Sequence, residues 1–531
     1  MELLKKHIHR NQVCCRSTMQ FTLDDDFNVP DAKPDLSSLI TARGSIHIAE
    51  ERGGGSRYFV KGELRYQILY LTEEQEQPFE VLTGEIPFEE GIHMEEECDR
   101  EGVHVHAVLE DLSASMIHSR KYSVKCLLRL NLTANRLVEE EGTVQVQGDD
   151  SVQARYEEVG ISTVAVCKKE TYRYRESVLL SSGKPEIQRL LYSCLELRNV
   201  EFRMLQDAFQ MKGEMNLFVI YEGESDGTRM LFPYEQELPF SANVAVSGVT
   251  EDMIPNIRWK LGDYTITPQS DNDGEERILE IEAPIDFMVM AYEEQEIELL
   301  RDLYSTRKKL KPICRESVCE RLCVKNHGKL RMSDRVRVQE GMPRIVRDLH
   351  TCADVKVDAI TVEDGGLRVE GAADLCVFYQ TGDGSRPIAV LQAQLPFDEK
   401  LEVPDMKAEP EEGIDEYFYE ILPSVDQIAT VLLDAEEIEV KAAISLDTLV
   451  MQERKESLLV DVEETPFTEE ELLEQPAVSC YFVKKGDRLW DIAKEHGVSL
   501  ERVRLYNEGA LSEPLPAGSR LLLVRESTAK A

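Results

Sequence analysis

VKGELRYQILYL (60–71), MKGEMNLFVIY (211–221) and VEGAADLCVFY (369–379) are three versions of one pattern. Beyond a glycine, each places apolar side chains at every second position: Leu64, Tyr66, Ile68 and Tyr70, then Met215, Leu217, Val219 and Tyr221, then Ala373, Leu375, Val377 and Tyr379. Alternation with period two marks a half-buried strand, because successive strand side chains point to opposite faces. The flanks repeat as well. KPDLSSLI (33–40), KPEIQRLL (184–191) and MPRIVRDL (342–349) precede the pattern, and GEIPF (84–88), QELPF (236–240) and AQLPF (393–397) follow it. Counted from Pro34, Pro185 and Pro343, a glycine comes 28 positions later each time, at Gly62, Gly213 and Gly371, and the tyrosine comes eight beyond that. The second prolines, Pro87, Pro239 and Pro396, follow those glycines by 25, 26 and 25 positions. The first prolines are 151 and 158 residues apart, so each repeat is domain-sized and the copies are tandem domains, not solenoid turns.

Glycine- and acid-rich turns at 224–228 (ESDGT) and 381–385 (TGDGS), each followed by a further apolar run, predict hairpins in copies two and three. Copy one has TEEQEQP there and must turn differently. A later strand recurs with Tyr122, Val124 and Cys126 matching Leu279, Ile281, Ala283 and Ile438, Val440, Ala442. The segments after the first prolines, 35–40, 186–191 and 344–349, carry apolar residues at helical spacing, and proline is tolerated in a first turn, so a short helix is expected in each. A glycine inside a strand implies a bulge or a close backbone approach, proline suits an edge strand, and the phenylalanine after it reads as a core plug. At about 150 residues a domain buries roughly 68–70% of its unfolded surface, enough to fold without metals or bridges.

With 531 residues, 42% hydrophobic and 31% charged, the chain has the balance of a globular multidomain protein. Its 61 Lys and Arg face 101 Asp and Glu, a formal charge of −40 that repels phosphate backbones and anionic lipid, so no nucleic-acid partner is expected. Apolar runs such as IDFMVMAY from Ile285 are far shorter than the roughly 20 residues of a membrane span, so no membrane insertion is expected. MELLKKHIHRNQVCC lacks the apolar stretch of a signal peptide, and the 12 cysteines at irregular spacings then read as reduced thiols in a cytoplasmic chain.

The tail is different. Tyr481-Phe482-Val483 predicts a strand, Lys485-Gly486-Asp487 a turn, and Asp487 an N-cap for a helix buried through Leu489, Ile492 and Ala493, ended by Gly497. Ser499 caps a second helix with Leu500, Val503 and Tyr506, and PAGSRLLLV from Pro516 supplies a closing strand. This βααβ pattern resembles the LysM fold. Three β-rich repeats followed by such a module resemble the SipL-like family of spore-coat morphogenesis proteins, built from SPOCS domains and a terminal LysM domain.

The expected architecture is therefore mainly β: SPOCS-like repeats at 1–150, 151–305 and 306–460, an acidic linker at 461–477 (from DVEETPFTEEELLEQPAV), and a small α+β LysM domain at 478–526. The resemblance implies a LysM groove formed by Gly486, Asp487, Arg488 and Leu489 on one side and Asn507, Glu508, Gly509 and Ala510 on the other. Trp490 adjoins it, and in so small a core it reads first as a packing residue. Arg488 departs from the small hydroxyl residue usual in sugar-binding modules; a long cation there would obstruct a sugar chain or grip an acidic protein. The resemblance also implies a non-enzymatic scaffold in the mother cell at the forespore surface, with a SpoIVA-like sporulation ATPase and other spore coat proteins as partners. The alternative is binding to peptidoglycan, an N-acetylglucosamine polymer.

No Gly-rich phosphate loop, Gly-x-Ser-x-Gly elbow or His-Glu-x-x-His occurs, so no catalytic residue, enzyme activity or cofactor is expected. Cys314, Cys319, Cys323 and His327 offer four soft ligands, but they lack the paired two-residue knuckle and lie in a basic connector, so ordinary thiols are the simpler reading. His93, Cys98, His104 and His106 form a second scattered group, with His104 and His106 on one strand face.

Overall fold

The computed structural model describes the whole chain except residues 55, 75–76, 78, 95–101, 182, 226, 384–385, 410–415, 469, 472–475, 508–513 and 526–531. Each repeat folds as two antiparallel sheets. In copy one, β1 (Glu2–Asn28), β6 (Lys121–Gln147) and β5 (Val103–His118) form the outer sheet, and β2 (Leu36–Gly54), β3 (Arg57–Thr72) and β4 (Phe79–His93) form the motif sheet. Copy two has β7 (Val152–Leu179) paired with β13 (Glu276–Ser305), which also carries β11 (Ile254–Leu261) and β12 (Thr265–Ser270). Its motif sheet is β8 (Arg189–Leu205), β9 (Ala208–Ser225) and β10 (Thr228–Ala245). Copy three repeats the plan with β14 (Lys308–Arg337), β19 (Glu437–Pro466) and β18 (Glu416–Leu432), beside β15 (Ile345–Glu363), β16 (Gly366–Thr381) and β17 (Ile388–Glu402).

The motif spacing has a direct geometric meaning. The repeated tyrosine donates its hydroxyl to the carbonyl of the repeated proline: Tyr70 to Pro34 at 3.0 Å, Tyr221 to Pro185 at 3.1 Å and Tyr379 to Pro343 at 3.1 Å. Each of these three tyrosines is fully buried, and burial raises each phenol. The glycine and the Pro-Phe pair also belong together, since Gly62, Gly213 and Gly371 stand opposite Phe88, Phe240 and Phe397. A Cβ at Gly62 would lie 2.4 Å from His47 O and 2.7 Å from the Phe88 ring, and one at Gly371 2.2 Å from Lys356 O, so the ring closes over bare backbone. The prolines lie on β4, β10 and β17, all edge strands, where a missing N–H leaves no ladder bond unmade.

The helices expected after the first prolines do not form. Residues 36–40 open β2, the chain at 345–349 opens β15, and the stretch from 186 is extended until β8 begins at Arg189. The amides explain this. Leu36, Ile187 and Ile345 donate their N–H groups to Ser119 O, Glu276 O and Ala435 O, each at 2.8 Å, so they are committed to the other sheet and unavailable to a helical turn. A six-residue apolar pattern does not distinguish the two outcomes. The stretch called a basic connector is the strand β14. The linker expected from Asp461 is likewise strand as far as Pro466, where Lys308 and Lys311 of β14 pair with Glu464 and Glu463 at 2.6 and 3.2 Å.

Each repeat has its own core, and further apolar clusters cross between repeats. One of these unites Leu69 and Leu71 of copy one, Phe218 and Ile220 of copy two, and Phe378 and Ile388 of copy three. Leu69, Ile220 and Phe378 each precede the motif tyrosine, so equivalent positions meet, as they must about an approximate threefold axis. A second junction joins Ile8, Ile161, Ile297 and Leu299 to Cys319 and Leu458 of the outer sheets. Among the described residues, no helix is long and apolar enough to cross a membrane.

Candidate functional site

The terminal domain is β20 (Val478–Phe482), α1 (Leu489–His496), α2 (Leu500–Tyr506) and β21 (Arg520–Val524), with the two strands paired antiparallel. Leu489, Trp490, Ile492 and Ala493 of α1, Val503 of α2 and Leu521 and Leu523 of β21 fill its core. Gly497 ends α1 in the left-handed conformation, φ 59° and ψ 41°, and Ser499 accepts from Arg502 N at 3.4 Å to cap α2. The first cap differs from expectation. Arg488 occupies the N-cap position without a side-chain bond, because Asp487 already accepts from Lys484 N at 2.8 Å and Tyr481 OH at 2.9 Å. Those two bonds, with the Lys484 charge, hold the Asp487 carboxyl below its ordinary value.

The residues expected to line a groove have separate fates. Gly486 (φ 95°) and Arg488 are exposed, Asp487 is half-buried in its turn, and Leu489 is core. Asn507 is buried and saturated: its Nδ2 donates to Val503 O at 2.7 Å and Leu522 O at 2.9 Å, and its Oδ1 accepts from Leu522 N at 2.7 Å. Asn507 thus ties α2 to β21. Glu508, Gly509 and Ala510 lie outside the described residues.

Trp490 faces the body of the molecule. Its Nε1 donates to Asp302 Oδ2 at 2.7 Å, its ring meets Tyr304 edge-on at 5.1 Å, and Arg155 lies 5.5 Å over it. Lys494, one turn on, donates to Asp302 Oδ1 at 2.6 Å, Tyr304 OH donates to Val498 O at 2.7 Å, and Gln153 Oε1 accepts from Leu500 N at 3.3 Å. Burial alone would raise the Asp302 carboxyl, but Lys494, the indole N–H and the Leu303 amide outweigh it and lower the pKa. On the outer face of the small sheet, Val478 and Phe482 are each 56% exposed, with Cys480 and Leu522 between them and Arg520 stacked on Phe482 at 5.4 Å.

The sequence-derived metal candidates do not converge. Cys314, Cys319, Cys323 and His327 all lie on β14, and at about 3.3 Å per residue a strand sets the first and last roughly 40 Å apart. His104 and His106 sit on β5, where burial is the main cause lowering His104 to about 4, and Cys98 is outside the described residues. Among the described residues one ligand group does gather: Cys194, His350 and Cys352, on β8 and β15. No spacing signal announces it, because its members come from two repeats more than 150 residues apart.

The SipL, SPOCS domain family model matches residues 24–117, 186–268 and 344–422, and the LysM domain model matches 481–523. The architecture is SipL-like. No curated protein and no solved structure matches the chain. Each SPOCS match spans one three-stranded motif sheet with its Pro-Phe pair, beginning ahead of Pro34 in copy one and directly after Pro185 and Pro343 in copies two and three, whereas the late strand of each repeat lies beyond it. The LysM match runs from the middle of β20 nearly to the end of β21 and includes both helices. Such SPOCS and LysM domains are binding modules and mark a sporulation-related or envelope-binding chain.

Proposed function

We propose that the chain is a non-enzymatic scaffold of spore-envelope assembly. Its terminal domain docks onto a SpoIVA-like ATPase in the mother cell, at the forespore surface, and its three repeats hold other coat proteins. The supporting observation is the outer face of the terminal sheet, where Val478, Phe482 and Leu522 are exposed beside Arg520 on a strongly acidic chain. Exposed apolar surface rimmed by charge is the usual form of a protein-binding site. The indole that would make the best sugar platform is committed to Asp302 and Tyr304 instead. Changing Phe482 and Leu522 together to Glu should abolish co-purification of the ATPase from sporulating cells while leaving thermal melting unchanged. Undiminished recovery of the ATPase would refute the docking role.

The second reading, peptidoglycan binding, is favoured by the LysM match itself. Retention on purified peptidoglycan at moderate salt, lost in a chain lacking 478–526, would establish it and displace the scaffold reading of this domain.

A further inference from the structure

The strand registers place three residues at one equivalent position. Arg43 stands opposite Gln67, Cys194 opposite Phe218 and Cys352 opposite Cys376, each five residues beyond the motif glycine on the central strand. The pseudo-threefold packing therefore brings Cys194 and Cys352 together and sets Arg43 within electrostatic reach of both. We propose that Cys194, Cys352 and His350, with Cys376 as the fourth ligand, form a structural Zn²⁺ site that fastens the second repeat to the third.

Four observations carry this. The two sulfurs lie 3.9 Å apart, whereas two thiolates at zinc–sulfur distance on a tetrahedral ion are separated by about 3.8 Å, and a disulfide requires about 2.05 Å. The imidazole is oriented as a metal-binding histidine: Nδ1 donates to Glu235 Oε1 at 2.7 Å, while Nε2 has no partner at hydrogen-bonding length. One ligand atom each from Cys194, His350 and Cys352 lies within 4.8 Å of the others, and the His350 side chain is 1% exposed and stacked 4.3 Å from Phe218. Cys376 is the direct cross-strand neighbour of Cys352, so both side chains leave the sheet on the same face, beside the three-residue cluster.

The charges also balance. Three thiolates, a neutral imidazole and Zn²⁺ sum to one negative charge, and the Arg43 guanidinium, fixed by Ser193 O at 3.0 Å and Tyr264 OH at 2.6 Å, supplies the offsetting positive one. Binding forms three metal–sulfur bonds and one metal–nitrogen bond through the Nε2 lone pair while the three thiol protons leave to solvent, with no change in oxidation state.

The test uses the full chain, stripped with chelator under reducing conditions and titrated with Co²⁺ or Zn²⁺. One equivalent should bind, Co²⁺ should give a thiolate charge-transfer band, protons should be released, and the melting temperature should rise by several degrees. His350→Ala and Cys376→Ser should weaken binding at least tenfold and alter the band. The double variant Cys314→Ser/Cys323→Ser should bind like the parent and excludes those thiols. Absence of the band in the parent chain overturns the proposal, and that measurement needs no variant to fold. So does an unchanged band in His350→Ala, or a Cys194–Cys352 disulfide in protein isolated from cells.

Discussion

The axis where the three repeats meet and the seam where the terminal domain meets the body are contrasting junctions. At the axis, Leu69, Ile220 and Phe378 are fully buried, and each repeat contributes from the same strand position, with Phe218 packed beside them. At the seam, one carboxylate, Asp302, and two rings, Tyr304 and Trp490, hold a small domain that contributes ten buried hydrophobic side chains of its own to the core. The first junction excludes water over a wide apolar area and is inseparable from the fold of the repeats. The second depends on directed polar bonds, which return little net free energy because water competes for the same groups. The difference predicts a body that unfolds as one unit and a tail that lets go separately.

Phe218→Ala strikes the axis hardest. Loss of a buried ring costs about 3–5 kcal/mol, so the denaturation midpoint of the whole body should fall, and an unmoved midpoint would break the contrast. Trp490→Ala should cost about 3 kcal/mol but locally: limited proteolysis should then remove the tail at 467–477 and leave the three repeats intact. Cleavage spreading into β14 would mean that tail and body are one cooperative unit.

Glu320, at the second inter-repeat junction, provides a pH test. Burial, with Glu453 alongside, raises its carboxyl to about 8 against the opposing Arg10 charge and Asn11 amide. The folded state thus holds a proton that the unfolded state releases, so this group's contribution is full in acid and declines as pH rises from about 4 towards 8. Glu320→Gln should gain about 1–3 kcal/mol on the parent at pH 8 and nothing at pH 4, measured by urea denaturation. The seam should respond in the opposite sense. Because the Asp302 carboxyl is depressed, its contribution is present above the ordinary carboxylate pKa and is lost as pH falls through the lowered value. Tail release, followed by proteolysis, should therefore accelerate in acid, and Asp302→Asn should abolish that dependence at a cost of about 1 kcal/mol. Gly497→Ala is the mildest change, about 1 kcal/mol for a side chain in the left-handed region; it should lower only the tail's own transition.

Much of the candidate site was legible in local pattern. The strand, helix, helix and strand of the tail follow from apolar spacing, Gly497 and Ser499, which act through neighbours a few residues away. The use of Asp487 by Lys484 and Tyr481, and of Asn507 by Leu522, was not legible, because either side chain could equally have served a helix end or a ligand. The short helix expected after each first proline failed for a related reason: the amide that decides it bonds to a carbonyl at a hairpin turn or strand start of the other sheet, 83 to 90 residues away.

By itself, the order of residues determined that the chain repeats three times, that each repeat is built on strands, and that a βααβ domain follows. Glycine, proline and period-two alternation are local constraints that hold wherever the segment lies. Only tertiary structure decided which tyrosine binds which proline carbonyl, which equivalent positions meet on the axis, and which cysteines become neighbours. Those outcomes depend on how separate sheets pack, and packing is set by the shapes of surfaces whose residues lie far apart along the chain.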